Sequence, residues 1–144
     1  MDMIRRINFF GGPSTGKSTL AAWLFAELKM RGVQAEHVTE CVKSWTFIGR
    51  PPISFDQVYL FGEQVHREDI VLRSNPKAIV ISESPILLCA CYAKKTDMPG
   101  WGYLVKLALD FEKMYPSLNF FVKRKDCAYQ TEGRFENYET ALKI

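Results

Sequence analysis

The residues with the clearest chemical purpose form a glycine-rich turn near the N-terminus. The turn is Gly11-Gly12-Pro13-Ser14-Thr15-Gly16-Lys17-Ser18, which matches the pattern G-x-x-x-x-G-K-[ST] at every fixed position. Glycines let successive backbone N–H groups close around an anion, and a following helix adds its positive end. Lys17 offers a mobile charge to the β- and γ-phosphates, Ser18 a hydroxyl to Mg²⁺, and Thr19 a contact to the α-phosphate. The pattern therefore predicts a nucleoside triphosphate site.

Two carboxylates follow strand-like segments further along the chain. Glu83 comes directly after the apolar run Ala78–Ser82, and Glu40 ends the segment Gln34–Thr39. Phosphoryl transfer at such a turn needs an acid at the end of a nearby strand to hold Mg²⁺, directly or through water. A second acid can accept the proton of an attacking hydroxyl. We therefore predict Glu83 as the metal ligand and Glu40 as the general base or a ligand to metal-bound water.

The elements that must position these residues alternate between strands and helices. Apolar periodicity predicts four strands: Ile4–Phe10, Gln34–Thr39, Ala78–Ser82 and Leu118–Lys123. It also predicts three helices: Ser18–Arg31, Ser54–Arg73 with Ser54 as its cap, and Trp101–Tyr115. The helix side chains predicted to face inward are Leu20, Trp23, Leu24, Leu28, Leu104, Leu107, Phe111 and Met114. This alternation predicts an α/β fold with a parallel sheet covered by helices on both faces, and ligands at the carboxyl ends of its strands.

Length and composition set broad limits. The 144 residues fit one domain over 1–144, with 47% hydrophobic and 24% charged residues and a formal net charge of +3. A charge this small does not by itself indicate a nucleic-acid partner. No apolar run is long enough to cross a membrane. None of the four cysteines lies in a C-x-x-C pair, which favours thiols in a cytoplasmic protein. Cys89 and Cys91 are predicted on a buried helix face, and His37 and His66 as structural or surface residues.

The whole chain resembles the P-loop nucleoside and nucleotide kinases. It looks closest to phage-encoded P-loop kinases and to nicotinamide-riboside-kinase-like domains of the AAA-type P-loop NTPase kind. Besides the turn, Glu40-Cys41-Val42-Lys43-Ser44-Trp45 is similar to the E-P-V-x-x-W segment of deoxynucleoside kinases, and Glu83-Ser84-Pro85 to the D-S-P of the phage group. Cys41 and Glu83 depart from those patterns, and the arginine of an E-R-S motif is absent. The resemblance implies a three-layer P-loop NTPase fold whose core usually has one more strand and helix; whether the chain includes them stays open.

The resemblance also implies a basic lid and an acceptor pocket. Lys123-Arg124 and Gly133-Arg134 look like the lid that closes over the triphosphate, where forked guanidinium groups offset developing charge. The helix Ser54–Arg73 is expected to line the acceptor side. Its candidate acceptor contacts are Phe55, Tyr59, Phe61, Gln64 and Arg67, with Gln64 as the reader of a ring edge and Trp45 as a pocket wall.

Three functions are compatible with these patterns. The leading interpretation is a kinase that uses ATP and Mg²⁺ to phosphorylate a nucleoside, nucleotide or similar metabolite, in the host cytoplasm if the chain is phage-encoded. The second is a kinase acting on a hydroxymethylated base or an end in DNA. The third is an ATPase or a nucleotide-controlled binding module. The acceptor, the choice between ATP and GTP and the oligomeric state stay open on the sequence.

Overall fold

The computed structural model describes residues 3–124 and residue 139. Four strands form one sheet: β1 (Arg6–Phe10), β2 (Ala35–Val38), β3 (Ile79–Ser82) and β4 (Ser117–Phe121). All their pairings are parallel, and the strand order is β2-β3-β1-β4. The five helices of the described ranges are α1 (Lys17–Met30), α2 (Lys43–Phe47), α3 (Asp56–Ser74), α4 (Ile86–Lys95) and α5 (Trp101–Met114). The sheet's center therefore holds β1 and β3, the strands that lead into the glycine-rich turn and into Glu83.

Helices cover both faces of the sheet, as the sequence predicted. Alternate residues of a strand point to opposite faces, and the neighbours Val80 and Ile81 of β3 belong to different hydrophobic clusters. Val80 packs with residues of α3, α4 and α5, whereas Ile81 packs with α1 and β1. Both side chains are fully buried. The three-layer α/β fold is confirmed, and β3 contributes side chains to the clusters on both faces of the sheet.

The predicted inward face of α1 is partly wrong. Trp23 is 61% exposed and Leu20 is 38% exposed. The residues that pack on the sheet are instead Ala21, Leu24, Phe25 and Leu28. Their i, i+3, i+4, i+7 spacing defines a face turned by one residue, centred on the small Ala21, because a methyl side chain lets the helix approach the sheet closely.

A similar shift corrects α5, and the start of α3 also differs. Leu107 and Met114 are half or more exposed, while Leu104, Ala108 and Phe111 contact the core at i, i+4, i+7. Ser54 does not cap α3: it lies at φ 50°, and the helix begins two residues later at Asp56. The side chain of Asp56 accepts a hydrogen bond from Ile53 N (3.1 Å) instead.

A buried ionic cluster joins the amino end of β1 to α3 and α5. Arg6 Nε donates to Glu68 Oε2 (2.9 Å), and Arg6 Nη1 donates to Glu112 Oε2 (2.7 Å) and to Tyr115 O (3.0 Å). Arg6 and Glu68 are both almost completely buried. Glu68 also accepts a hydrogen bond from Gln64 Nε2 (2.9 Å). The cluster therefore ties α3 to the sheet and also holds Gln64, the side chain predicted to read a ligand.

Candidate functional site

The turn between β1 and α1 has the backbone of an anion-binding loop. Ser14 and Gly16 adopt positive φ angles of 59° and 97°, a conformation that points consecutive N–H groups inward. In the described part of the chain, the N–H groups of Ser14, Thr15 and Gly16 donate to no acceptor. A Cβ on Gly11 would lie 2.8 Å from Thr15 Oγ1 and 2.9 Å from a backbone carbonyl, so only glycine fits there. The residues present therefore fit a bound phosphate.

Two cationic side chains contact this turn. Lys17 Nζ donates to Gly11 O and Gly12 O, each at 2.8 Å. Arg124 Nη1 donates to Pro13 O at 2.7 Å. Arg124 reaches the turn because it follows β4, which pairs with β1 along its whole length. Arg134, the other predicted lid residue, lies outside the described residues, as does Gly133.

The two predicted acids meet at the carboxyl edge of the sheet. Strands β2 and β3 are neighbours, and the N–H of Glu40 donates to Glu83 Oε1 at 3.1 Å. Glu83 is 5% exposed and Glu40 is half-buried. The sequence therefore placed both carboxylates correctly at one edge, and the parallel order β2-β3-β1 brings them beside the turn.

His37 is a neighbour of Glu83 that the sequence did not predict. Its Nε2 lies 3.3 Å from Glu83 Oε2, although the two groups are not aligned as a hydrogen bond. The order of the elements held part of this signal, because His37 lies near the carboxyl end of β2 and β2 pairs in parallel with β3, which ends one residue before Glu83. His37 contacts the predicted metal ligand and packs beside Phe25 rather than being a surface residue.

One cleft of about 260 Å³ joins the turn, the two carboxylates and a second pocket between α3 and α4. At the turn end it is lined by residues 13–19, which include Ser18 and Thr19 of the first helical turn. Beyond Glu40 and Glu83 it continues along α2, α3 and α4. The residues lining that continuation are Cys41, Val42, Lys43, Thr46, Pro51, Pro52, Gln57, Leu60, Gln64, Ser84, Cys89, Tyr92, Lys95 and Thr96.

The structure brings only part of the predicted acceptor set to this cleft. Gln64 lines it. Trp45 does not: its ring is buried, stacks on Tyr59 at 5.9 Å between centroids and lies under the Arg50 guanidinium at 4.1 Å. The other α3 candidates are also elsewhere, either exposed, in the core or in a surface ion pair with Glu63: Phe55, Tyr59, Phe61 and Arg67.

Sequence reasoning missed the residues that α3 and α4 do contribute. Gln57 and Leu60 precede Gln64 on the cleft face of α3, and Tyr92 and Lys95 come from α4. A helix around Cys89 was anticipated, but not that its far end would reach the cleft. Cys89 is buried as predicted, whereas Cys91 is exposed.

The described residues contain no group of three or more His, Cys, Asp or Glu side chains that could hold a metal ion. Mg²⁺ at phosphate sites characteristically takes only one or two protein ligands and keeps water and phosphate oxygens for the rest. Ser18 and Glu83 both line the cleft and are oxygen donors. Their chemistry fits that sparse mode of binding.

Comparison with known proteins agrees with this geometry. A family model described as AAA domain matches residues 6–144. The chain belongs to the AAA domain family. No curated protein and no solved structure matches it. As an AAA-type P-loop domain it is a nucleotide-binding protein. No helix among the described residues of this AAA domain is both long and apolar enough to cross a membrane.

Three cysteines of this AAA domain differ in burial, so we expect their thiols to differ in reactivity. Burial raises the pKa of the Cys41 thiol, partly offset by the nearby Arg67 guanidinium, and burial raises the pKa of the Cys89 thiol to about 12. A thiol with a raised pKa is less ionised at a given pH, and the thiolate is the reactive form. With iodoacetamide at pH 8 we expect fast labelling of exposed Cys91, slow labelling of Cys41 and none of Cys89.

The labelled peptides are quantified by mass spectrometry. The labelling rate at Cys41 is expected to keep rising above about pH 10, where the rate of a thiol with an ordinary pKa levels off, and to fall when nucleotide fills the cleft. Cys89 in the unfolded chain provides the control, because its thiol then loses the effect of burial. Labelling of native Cys89 as fast as that of Cys91 would contradict the buried position of Cys89.

Proposed function

We propose that this chain is a Mg²⁺-dependent kinase that transfers the γ-phosphate of ATP to a nucleoside, nucleotide or related small molecule. The observation that carries the proposal is the single cleft: the phosphate-binding turn, Glu40, Glu83 and the pocket between α3 and α4 all open into it. An enzyme that only hydrolyses ATP needs space for water, whereas a kinase needs a second pocket beside the reacting phosphate.

The side chains at the turn would stabilise the transferring group. Lys17 and Arg124 both donate to carbonyl groups of the turn, which supports a role in stabilising the charge that develops on the phosphate oxygens. Mg²⁺, held by Ser18 and Glu83, would neutralise charge on the β- and γ-phosphates. Two more cations, Lys43 and Lys95, line the cleft and form no ion pair with a described carboxylate. They suit a cleft that takes anions.

Glu40 would act on the acceptor. Its backbone N–H donates to Glu83 Oε1, which holds the residue just beyond the carboxyl end of β2, where it lines the cleft shared by the turn and the α3–α4 pocket. For a hydroxyl acceptor, Glu40 takes the hydroxyl proton as the new oxygen–phosphorus bond forms. The bond between the γ-phosphorus and the bridging oxygen breaks, and ADP leaves with that electron pair. The two carboxylates thereby divide the work between the metal and the proton.

The test is transfer of labelled γ-phosphate from ATP to a panel of acceptors. The panel holds deoxynucleosides, their monophosphates, nicotinamide riboside, and DNA with and without hydroxymethyluracil. We expect label on a small molecule and a loss of roughly 10²–10³-fold in Lys17→Ala, because one charge-stabilising donor at the phosphate is removed. Lys29→Ala, at an exposed position of the same helix, is the matched control and should transfer normally.

The other results would redirect the proposal. Label on DNA, weakened by added salt, would favour the DNA kinase. Label released only as free phosphate, still dependent on Lys17, would favour an ATPase or a nucleotide-controlled module. If Lys17→Ala transferred phosphate as fast as Lys29→Ala, the turn would have no part in the reaction.

A further inference from the structure

The chain between the end of α2 and the first turn of α3 carries a cluster of exposed apolar side chains. Ile48 and Ile53 are 73% and 69% exposed, and Phe55, Val58 and Tyr59 are 57%, 46% and 57% exposed. These five residues are called the apolar patch below. Single exposed apolar side chains are normal on a protein surface, whereas a contiguous group of them marks a site of interaction.

Helical spacing makes the patch one surface. Phe55, Val58 and Tyr59 are spaced i, i+3, i+4 and so share one side of the start of α3. Trp45 of α2 stacks on the ring of Tyr59, with 5.9 Å between the centroids. Ile48 follows Trp45 by three residues, and its N–H donates to Trp45 O (3.3 Å), which places it on the same side of α2.

Contacts behind the patch hold it in one conformation. The Arg50 guanidinium lies 4.1 Å from the centre of the Trp45 ring, and Arg50 Nη2 lies 3.3 Å from Asp56 Oδ1. The same carboxylate accepts a hydrogen bond from Ile53 N (3.1 Å). The end of α2 and the start of α3 are thereby braced together, so that covering the patch costs little additional ordering of the chain.

The area of the patch suits a partner of protein size. A whole aromatic side chain offers about 150–250 Å², so the exposed fractions of the five residues amount to roughly 600 Å². The Arg50 side chain, which is 55% exposed, adds the apolar surface of its stem. The total approaches the area of about 800 Å² that each partner contributes to a standard protein interface.

The charge of the patch favours a second copy of the same chain. Arg50 and Asp56 are the charged residues between positions 48 and 59, and they pair with each other. A surface without net charge does not repel its own copy, and it offers no excess of cations to a nucleic acid. Aromatic residues with arginine, and few lysines or glutamates, are also the composition of interface cores.

We infer that the apolar patch is the interface of a homodimer, in which two copies pack this surface on itself across a two-fold axis. Pro51 and Pro52 belong to the same stretch of chain and line the cleft, so the second copy steadies one wall of the cleft in each subunit. The inference does not depend on the kinase proposal, because it needs no nucleotide and no acceptor.

The experiment measures the mass of the full chain by analytical ultracentrifugation, from about 1 to 200 µM, a range that covers weak and standard interfaces. We expect the mass to rise from one chain to two and then to stay constant, because a two-fold interface closes on itself. The same measurement is made on Phe55→Asp and on Tyr103→Asp.

Phe55→Asp should raise the dissociation constant of the dimer roughly 100-fold or more, because the two-fold axis repeats the change and buries two charges. The variant should still fold. Phe55 is the N-cap of α3 and makes no side-chain cap hydrogen bond, whereas aspartate is a favoured residue at that position. Its circular dichroism spectrum in dilute solution should therefore match that of wild type.

Tyr103→Asp is the matched control. Tyr103 is 80% exposed on α5 and lies outside the patch, so this variant should form the dimer as wild type does. Dimer formation that is lost in Phe55→Asp and kept in Tyr103→Asp supports the inference.

Four results would overturn it. The first is the mass of one chain over the whole range, and the second is a mass that keeps rising beyond two chains, since that requires two different surfaces. The third is equal dissociation in Phe55→Asp and Tyr103→Asp. The fourth is a single chain that sediments with phosphatidylcholine vesicles and loses them in Phe55→Asp, which would assign the patch to a lipid surface.

Discussion

Replacing Glu40 by glutamine is expected to lower phosphoryl transfer by about 10²–10⁴-fold, the usual contribution of a positioned general base. ATP affinity should stay close to that of wild type, because Glu40 makes its bond to Glu83 through its backbone N–H, which glutamine keeps. Glutamine has nearly the same shape but cannot take up the acceptor's proton. The measurements are kcat for transfer and the Kd for ATP.

Glu36→Gln is the matched control for this change. Glu36 lies on β2, the strand that leads to Glu40, but it is exposed, so its substitution should leave both constants unaltered. Full activity of Glu40→Gln would show that another group takes the proton. A large rise in the Kd for ATP in the presence of Mg²⁺, with little change in kcat, would instead assign Glu40 to metal-bound water.

Replacing Arg6 by methionine is expected to lower the free energy of unfolding by about 3–5 kcal/mol, the effect of breaking a buried ion pair. Glu68 would be left fully buried without its cationic partner, and the link from β1 to Glu112 and Tyr115 would be lost. For a domain of this size that corresponds to a fall of roughly 10–20 °C in Tm. Denaturant unfolding followed by circular dichroism measures it.

Arg73→Met provides the comparison, because it breaks an ion pair between an arginine and a carboxylate at the surface. Arg73 and Asp69 are 62% and 34% exposed, so we expect a change of less than about 1 kcal/mol. Adding Glu68→Gln to Arg6→Met should recover part of the loss, since the isolated buried charge is then removed. Equal effects at Arg6 and Arg73 would mean that burial does not strengthen the inner pair.

Some of the candidate site was predictable because its signals are local. The turn from Gly11 to Ser18 is one continuous stretch whose backbone geometry follows from its own residues. Glu40 and Glu83 were predictable because parallel strands bring their carboxyl ends to one edge, whatever the packing of the helices. Arg124 follows from the same rule applied to β4.

The failures share one physical cause, which is that rotation of a helix about its axis is set by packing. Trp23 and Leu107 are apolar yet exposed, since the small residues Ala21 and Ala108 decide which face approaches the core. Trp45 looked like a pocket wall, but its partners Tyr59 and Arg50 turn it away from the cleft. Apolar character alone does not distinguish these positions.

The sequence by itself determined the α/β class, the phosphate-binding turn and the two strand-end acids, because these depend on period, on glycine and on the order of elements along the chain. The tertiary structure decided which apolar side chains are covered and which form a surface. Trp45 is buried against Tyr59 and Arg50, whereas Ile48 and Ile53, close by in the chain, stay exposed. That difference arises only when α2 and α3 are packed together, since a contact between distant residues leaves no periodic mark in a sequence.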